Sequence, residues 1–98
     1  SLMIKEWKDS NQKIVFTNGC FDVLHYGHFR LLHESKKLGN KLVIAVNDDE
    51  SVKRLKGNGR PIHNQEQRIF CLSSIIFVDL IILFSENTPI KIIKELMI

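Results

Sequence analysis

Cysteine, proline and aromatic residues are all scarce in this chain, which has two cysteines, two prolines, one tryptophan, one tyrosine and six phenylalanines in 98 residues. Cys20 and Cys71 form neither a C-x-x-C nor a metal-ligand pattern, which excludes a disulfide framework and a structural zinc cluster. Their apolar neighbours suit reduced, partly buried thiols in a cytoplasmic protein. Long apolar runs are lacking too. The greasiest stretch, residues 75–84, is broken by Asp79 and falls short of the ~20 residues that a membrane-spanning helix needs, so no membrane insertion is expected. Nor is there a basic block interleaved with aromatics, so nucleic acid is not an expected partner. The scattered excess of +3 suits a small anionic substrate. Repeats, low-complexity tracts and linkers are missing, so one small domain is expected over residues 3–98, with Ser1 and Leu2 ahead of Met3 read as a cloning remnant.

What is present is concentrated early. The stretch Thr17-Asn18-Gly19-Cys20-Phe21-Asp22-Val23-Leu24-His25-Tyr26-Gly27-His28 follows an apolar β-type run over residues 13–17 and precedes an amphipathic segment over residues 29–38 that closes on Gly39. A strand thus runs through a glycine-containing turn into a helix whose first residues carry His25 and His28. Free N–H groups and the macrodipole at a helix start favour an anion. Two imidazoles three residues apart share a helix face. Together these features make a pocket for phosphate oxygens, such as those of a nucleoside triphosphate. The plainer alternatives are two solvent-facing histidines or a metal pair.

The remaining chain alternates strand and helix. Residues 3–12, with Ile4 and Trp7, read as a lead-in helical turn or an irregular arm. The continuous apolar centre of residues 13–17 suits a strand covered on both faces. In the next helix Leu31, Leu32 and Leu38 are the apolar positions, and Lys36, Lys37 and Gly39 are the stop signals. Residues 41–47 form a second buried strand, after which Asp48 or Asp49 caps a short helix ending at Gly57. Residues 58–61 are a loop, and Asn64 with Gln67 resembles a capping box opening a helix through Ile69, Phe70, Leu72 and Ser73. A third strand falls within residues 77–83. Thr88 then caps a helix with Pro89 at its first position and an apolar stripe of Ile90, Ile93, Leu96 and Met97. This rhythm predicts an open parallel α/β sheet with helices on both faces and the ligand at the carboxyl ends of its strands.

The segment from Asn18 to His28 resembles the G-x-F-D-x-x-H-x-G-H signature of the cytidylyltransferase-like nucleotidyltransferases. Leu38-Gly39, Ala45-Val46-Asn47-x-Asp49, the run from Ser51 to Gly57, Arg60-Pro61 and Glu66-Gln67-Arg68 follow in order. Together they are most similar to the adenylyltransferase domain of ADP-heptose synthase, which joins ATP to a heptose 1-phosphate in lipopolysaccharide core synthesis. Glycerol-phosphate and ethanolamine-phosphate cytidylyltransferases, which use CTP, share the first signature. The resemblance implies a Rossmann-like fold. It also implies attack by an acceptor phosphate oxygen on the α-phosphorus of ATP or CTP, with pyrophosphate expelled and Mg2+ arriving on the triphosphate. Family domains continue with a G-G-D-like strand end and an I-S-T-T-like turn, neither of which occurs here, so the last part of the usual domain is expected to be lacking. The first strand is then expected to be bare on one side, to be covered by further chain or by a second copy in a homodimer.

On this reading His25 and His28 donate to the phosphoryl oxygens, helped by backbone amides around Phe21 and Asp22. Thr17, Asn18, Gly19, Cys20, Phe21, Asp22 and Gly27 form the nucleotide side, although Asp22 is as well suited to orienting the turn as to touching ligand. By resemblance a lysine of the short helix reaches phosphate, Lys56 before Lys53. Asn47, Asp49, Arg60 and Arg68 are assigned to the acceptor. The alternatives are capping by Asp49, pairing of Arg68 with Glu66, and solvated lysines. His33 and His63 receive no role, and no residue is assigned as a metal ligand. A non-catalytic nucleotide-binding or assembly module is the competing class.

Overall fold

The computed structural model describes residues 2–96, so Met97 of the predicted apolar stripe lies outside the described residues. The order is α1 (Leu2–Asp9), β1 (Ile14–Gly19), α2 (Tyr26–Lys36), β2 (Lys41–Asn47), α3 (Asp49–Lys56), α4 (Gln65–Ser73), β3 (Leu80–Phe84) and α5 (Ile90–Leu96). The strands form one parallel sheet ordered β1-β2-β3, with Gly19 opposite Val46 and Asn47 opposite Phe84 at the carboxyl ends.

β2 is the centre because its sequence has no polar side to show. Leu42, Val43, Ile44, Ala45 and Val46 are all fully buried. Leu42, Ile44 and Val46 share one core with Leu32 of α2 and Leu72 of α4. Side chains alternate across a strand, so Val43 and Ala45 point the other way. α1 packs on β1 and α3 on β2, burying Ile4 and Val52 outside that cluster. Right-handed crossovers along this strand order put α2 and α4 on the same face, where the shared core finds them.

The helix ends follow their side chains. Asp48 accepts from the Ser51 N–H at 2.8 Å to open α3, and Asn64 and Gln67 cap α4 reciprocally at 2.9 and 3.0 Å. Gly57 ends α3 at φ 98°, a conformation that favours glycine. Gly39 is required by proximity, because an added Cβ would stand 2.7 Å from the Lys13 carbonyl oxygen where α2's exit crosses the start of β1.

Several expectations need correction. β1 stands at the sheet's edge among the described residues, as expected, but its apolar residues are only partly covered rather than buried on both faces. α2 begins at Tyr26, with His25 as its cap rather than as its first helical residue. Leu31 and Leu38 are exposed, leaving Leu32 as that helix's core anchor. Residues 2–9 form a regular helix that takes in Leu2, docked by Ile4 and by the Lys41 ammonium 5.4 Å from the Trp7 ring. Cys71 is exposed rather than partly buried. At α5 the Ile93 N–H donates to the Pro89 carbonyl, so the first helical bond starts at the proline rather than at Thr88, and Ile90 is exposed.

Asp79, which breaks the apolar run, has a definite task at the amino edge of the sheet. One oxygen accepts from the Lys36 ammonium at 2.5 Å and from the Leu42 N–H at 2.7 Å. Burial alone would raise its pKa; Lys36, the Leu42 N–H and the Lys41 charge together outweigh burial and lower it. The stability this gives is complete above the ordinary value of 3.8 and is lost as pH falls through the depressed folded value. Asp79→Asn is therefore expected to cost about 1–2 kcal/mol at neutral pH, with the gap to wild type closing in acid. Urea unfolding across that pH range checks this, and an unchanged gap in acid would refute the assignment.

Candidate functional site

At the carboxyl edge the β1–α2 turn, the end of β2, the end of α3 and the loops before α4 and α5 enclose a cleft of about 780 Å³. That is within the range of small-molecule sites. Its shape begins with Phe21. This residue has φ 49°, in the left-handed region that strains a bulky side chain by roughly 1–3 kcal/mol. Its ring is 5% exposed in the main core, and burying a phenylalanine contributes about 1.5–3 kcal/mol, enough to hold the turn. Gly19 is small for this reason, since a Cβ there would lie 3.1 Å from the Phe21 ring.

The two histidines cap their own helix. The Gly27 N–H donates to His25 Nδ1 at 3.0 Å, and the His25 N–H donates to His28 Nδ1 at 3.3 Å. The arrangement is a capping box built from imidazoles. A ring nitrogen that accepts a hydrogen bond carries no proton, so each neutral ring holds its proton on Nε2. Both residues line the cleft with ring centroids 4.1 Å apart. Gly27 serves the ring, because a Cβ there would stand 2.8 Å from His25 Cε1. The turn before α2 also offers backbone donors: among the described residues the N–H groups of Phe21 and Asp22 have no protein acceptor.

Asp22 joins the turn to the loop before α4. Its Oδ2 takes the Arg60 guanidinium at 2.8 Å, and its Oδ1 accepts from the Ile62 and His63 N–H groups at 2.7 and 3.1 Å. Burial pushes its pKa up, but the Arg60 bond, the two N–H donors and the Arg60 charge prevail and hold it below the usual value. Of this pair the aspartate side chain is buried and the arginine half exposed at the cleft.

The structure brings together Asn18, Gly19, Cys20, Phe21, Asp22, His25, His28, Asn47, Lys56 and Arg60 from the predicted set. Lys53 does not line the cleft, nor does Thr17, which sits a residue back in β1 with alternate orientation to Asn18. Arg68 also does not line it. This side chain, 2% exposed, donates through Nε to the His63 carbonyl, through Nη1 to the Cys20 and Asn47 carbonyls, and through Nη2 to Asp49. All its nitrogens have protein acceptors, and Glu66 is not among them. Asp49 likewise lies outside the cleft lining, held by that ion pair at 2.8 Å. Sequence reasoning missed Val23, Leu31, Leu55 and Asn87, which do line the cleft. Leu31 is three residues after His28 and shares its helix face, so the signal was there. Asn87 follows the end of β3, the edge where the site lies.

Burial and, secondarily, the neighbouring His25 push the His28 pKa below 6.5. The folded protein therefore resists protonating this ring. The stability involved is complete above 6.5 and is lost as pH falls through the folded midpoint. An NMR titration is expected to find His28 as the Nε2–H tautomer with its midpoint below 6.5. A higher midpoint, or a proton on Nδ1, would contradict the capping geometry.

A family model described as cytidylyltransferase-like matches residues 16–98. The bifunctional protein HldE of Campylobacter jejuni is 48% identical over 89 residues, covering 91% of this chain and 19% of its own length. HldE of Helicobacter pylori strain J99 is 49% identical over 94 residues, covering 96% of this chain and 20% of its own. The chain thus spans about a fifth of the length of these relatives. Among solved structures, the lipopolysaccharide core biosynthesis protein from Thermoplasma volcanium superposes with a TM-score of 0.75 at 38% identity, covering 87% of this chain and 68% of that one. The family match runs from the middle of β1 and takes in every residue of the cleft, and the chain accordingly belongs to the cytidylyltransferase-like family.

Proposed function

We propose that the cleft transfers a nucleoside monophosphate from a nucleoside triphosphate, ATP in our reading, to the phosphate of a sugar phosphate of the heptose 1-phosphate type. An acceptor phosphate oxygen attacks the α-phosphorus. A new P–O bond forms, the bond to the bridging oxygen breaks, and pyrophosphate leaves with the electron pair. The observation that carries this reading is the reciprocal cap, which engages both Nδ1 atoms as acceptors and leaves two Nε2–H groups on rings side by side in a cleft also reached by Lys56 and Arg60. Catalysis of this kind needs alignment and charge neutralisation more than covalent chemistry. Donors locked before the substrate arrives supply the second without reorganisation. The free N–H groups of Phe21 and Asp22 add to them, and Lys56 and Arg60 offset the phosphate charge.

Magnesium accompanies triphosphates and neutralises part of their charge. Among the described residues no group of three His, Cys, Asp or Glu is placed to hold a metal. The cleft's carboxylate, Asp22, has three protein donors. These residues fit an ion carried on phosphate oxygens rather than a protein cage.

ATP and a sugar phosphate are favoured by the similarity to HldE and to the lipopolysaccharide core biosynthesis protein. The family's description makes CTP the nucleotide to compare, and the signature shared with glycerol-phosphate cytidylyltransferases makes glycerol 3-phosphate the acceptor to pair with it. No helix among the described residues is long and apolar enough to cross a membrane, which suits cytoplasmic small-molecule chemistry.

Pyrophosphate release by the full gene product, measured with ATP and CTP against heptose 1-phosphate and glycerol 3-phosphate, is expected to be highest for ATP with the heptose. Nucleotide binding with no release from any pair would instead indicate a binding module. His28→Ala is expected to lower kcat by about 10²–10³ with the circular dichroism spectrum retained. Turnover near that of wild type would remove His28 from the mechanism.

A further inference from the structure

We propose that Arg68 is a positioning residue that sets the two walls of the cleft at their working separation. The ladder between β1 and β2 ends at Gly19 opposite Val46. The next residues in register are Cys20 and Asn47, and there a single guanidinium nitrogen donates to both carbonyls, at 2.8 and 2.6 Å. The side chain continues the ladder by one rung at the point where the strands diverge. Cys20 leads into the turn that carries His25 and His28, and Asn47 leads into α3, which carries Lys56. The same guanidinium holds the His63 carbonyl, in the loop that bears Arg60, at 3.0 Å, and Asp49 at the start of α3 at 2.8 Å. Both walls of the cleft hang from one buried side chain that lines neither.

Only a planar fork serves this purpose. Arginine presents five donors in fixed directions, whereas lysine concentrates three at one point and cannot span the same four acceptors. Arg68→Lys keeps the charge beside Asp49 but loosens one wall from the other, leaving Asp22 to hold the turn to the loop before α4 and the Cys20 thiol its long contact to Asn47. Each substrate keeps its contacts to its own wall, while the reacting atoms lose their alignment. A misplacement of about 1 Å can cost ~10²-fold in rate.

The proposal rests on the transfer reaction above, and the test keeps the two apart. Wild type, Arg68→Lys and Arg68→Ala are compared in the full gene product for melting temperature, ATP-binding stoichiometry, and kcat and both KM values per folded molecule. For Arg68→Lys the expected result is a kcat lower by ~10²-fold with each KM within about threefold. Guanidinium ion added to Arg68→Ala is expected to restore part of the lost kcat. A kcat per folded molecule equal to that of wild type, even with a lowered melting temperature, would overturn the positioning role and leave Arg68 as a packing residue. Variants that stay unfolded with and without guanidinium would overturn it equally. Absence of pyrophosphate release from wild type counts against the reaction itself, whereas equal release from wild type and Arg68→Lys counts against the positioning role alone.

Discussion

Parallel strands that end together leave a row of backbone groups with no ladder partner, and the helices that follow them start with free N–H donors on the same edge. That unsatisfied edge is the constraint around which this chain is arranged. The carbonyls of Cys20 and Asn47 are met by Arg68, the helix starts by His25, Asp48 and Asn64, and the loop N–H groups of Ile62 and His63 by Asp22. Among the donors left over are the N–H groups of Phe21 and Asp22, in two residues that line the cleft. Satisfying the fold and leaving a binding surface are two results of one distribution of partners.

Charge follows the same division. Asp22 and Asp49 each have an arginine, Arg60 and Arg68, and the buried member of each pair is a different one. In the first the carboxylate is buried and the guanidinium reaches the cleft, so the negative charge is neutralised internally and the positive end is presented outward. In the second the guanidinium is buried and acts only on protein. A buried charge left alone is costly, so removing either partner does more than delete a contact.

Much of this was legible in the sequence. An uninterrupted apolar run gave β2 its central place, Asn64 and Gln67 marked the start of α4, and the glycine-containing turn with two histidines located the cleft. What was not legible depended on partners distant in sequence. Arg68 reads as an acceptor ligand or a partner of Glu66 until folding brings Cys20 and Asn47, 48 and 21 positions away, within reach. Leu31 reads as core because it is apolar, yet the helix turns it toward the cleft. The start of α2 was legible at the two histidines, but their capping of that helix was not, because imidazole is an uncommon cap and histidine in a ligand turn invites a functional explanation first.

The imidazole cap carries a consequence for how the protein responds to acid. Each ring can serve the helix only while its inner nitrogen is bare, and a bare inner nitrogen leaves the ring's proton on the outer one. A proton arriving on the inner nitrogen of His28, the ring that burial and its neighbour make hard to protonate, breaks its bond to the His25 N–H and disturbs the cap and the donor pair together. The groups that greet the ligand are also the stitches that start the helix.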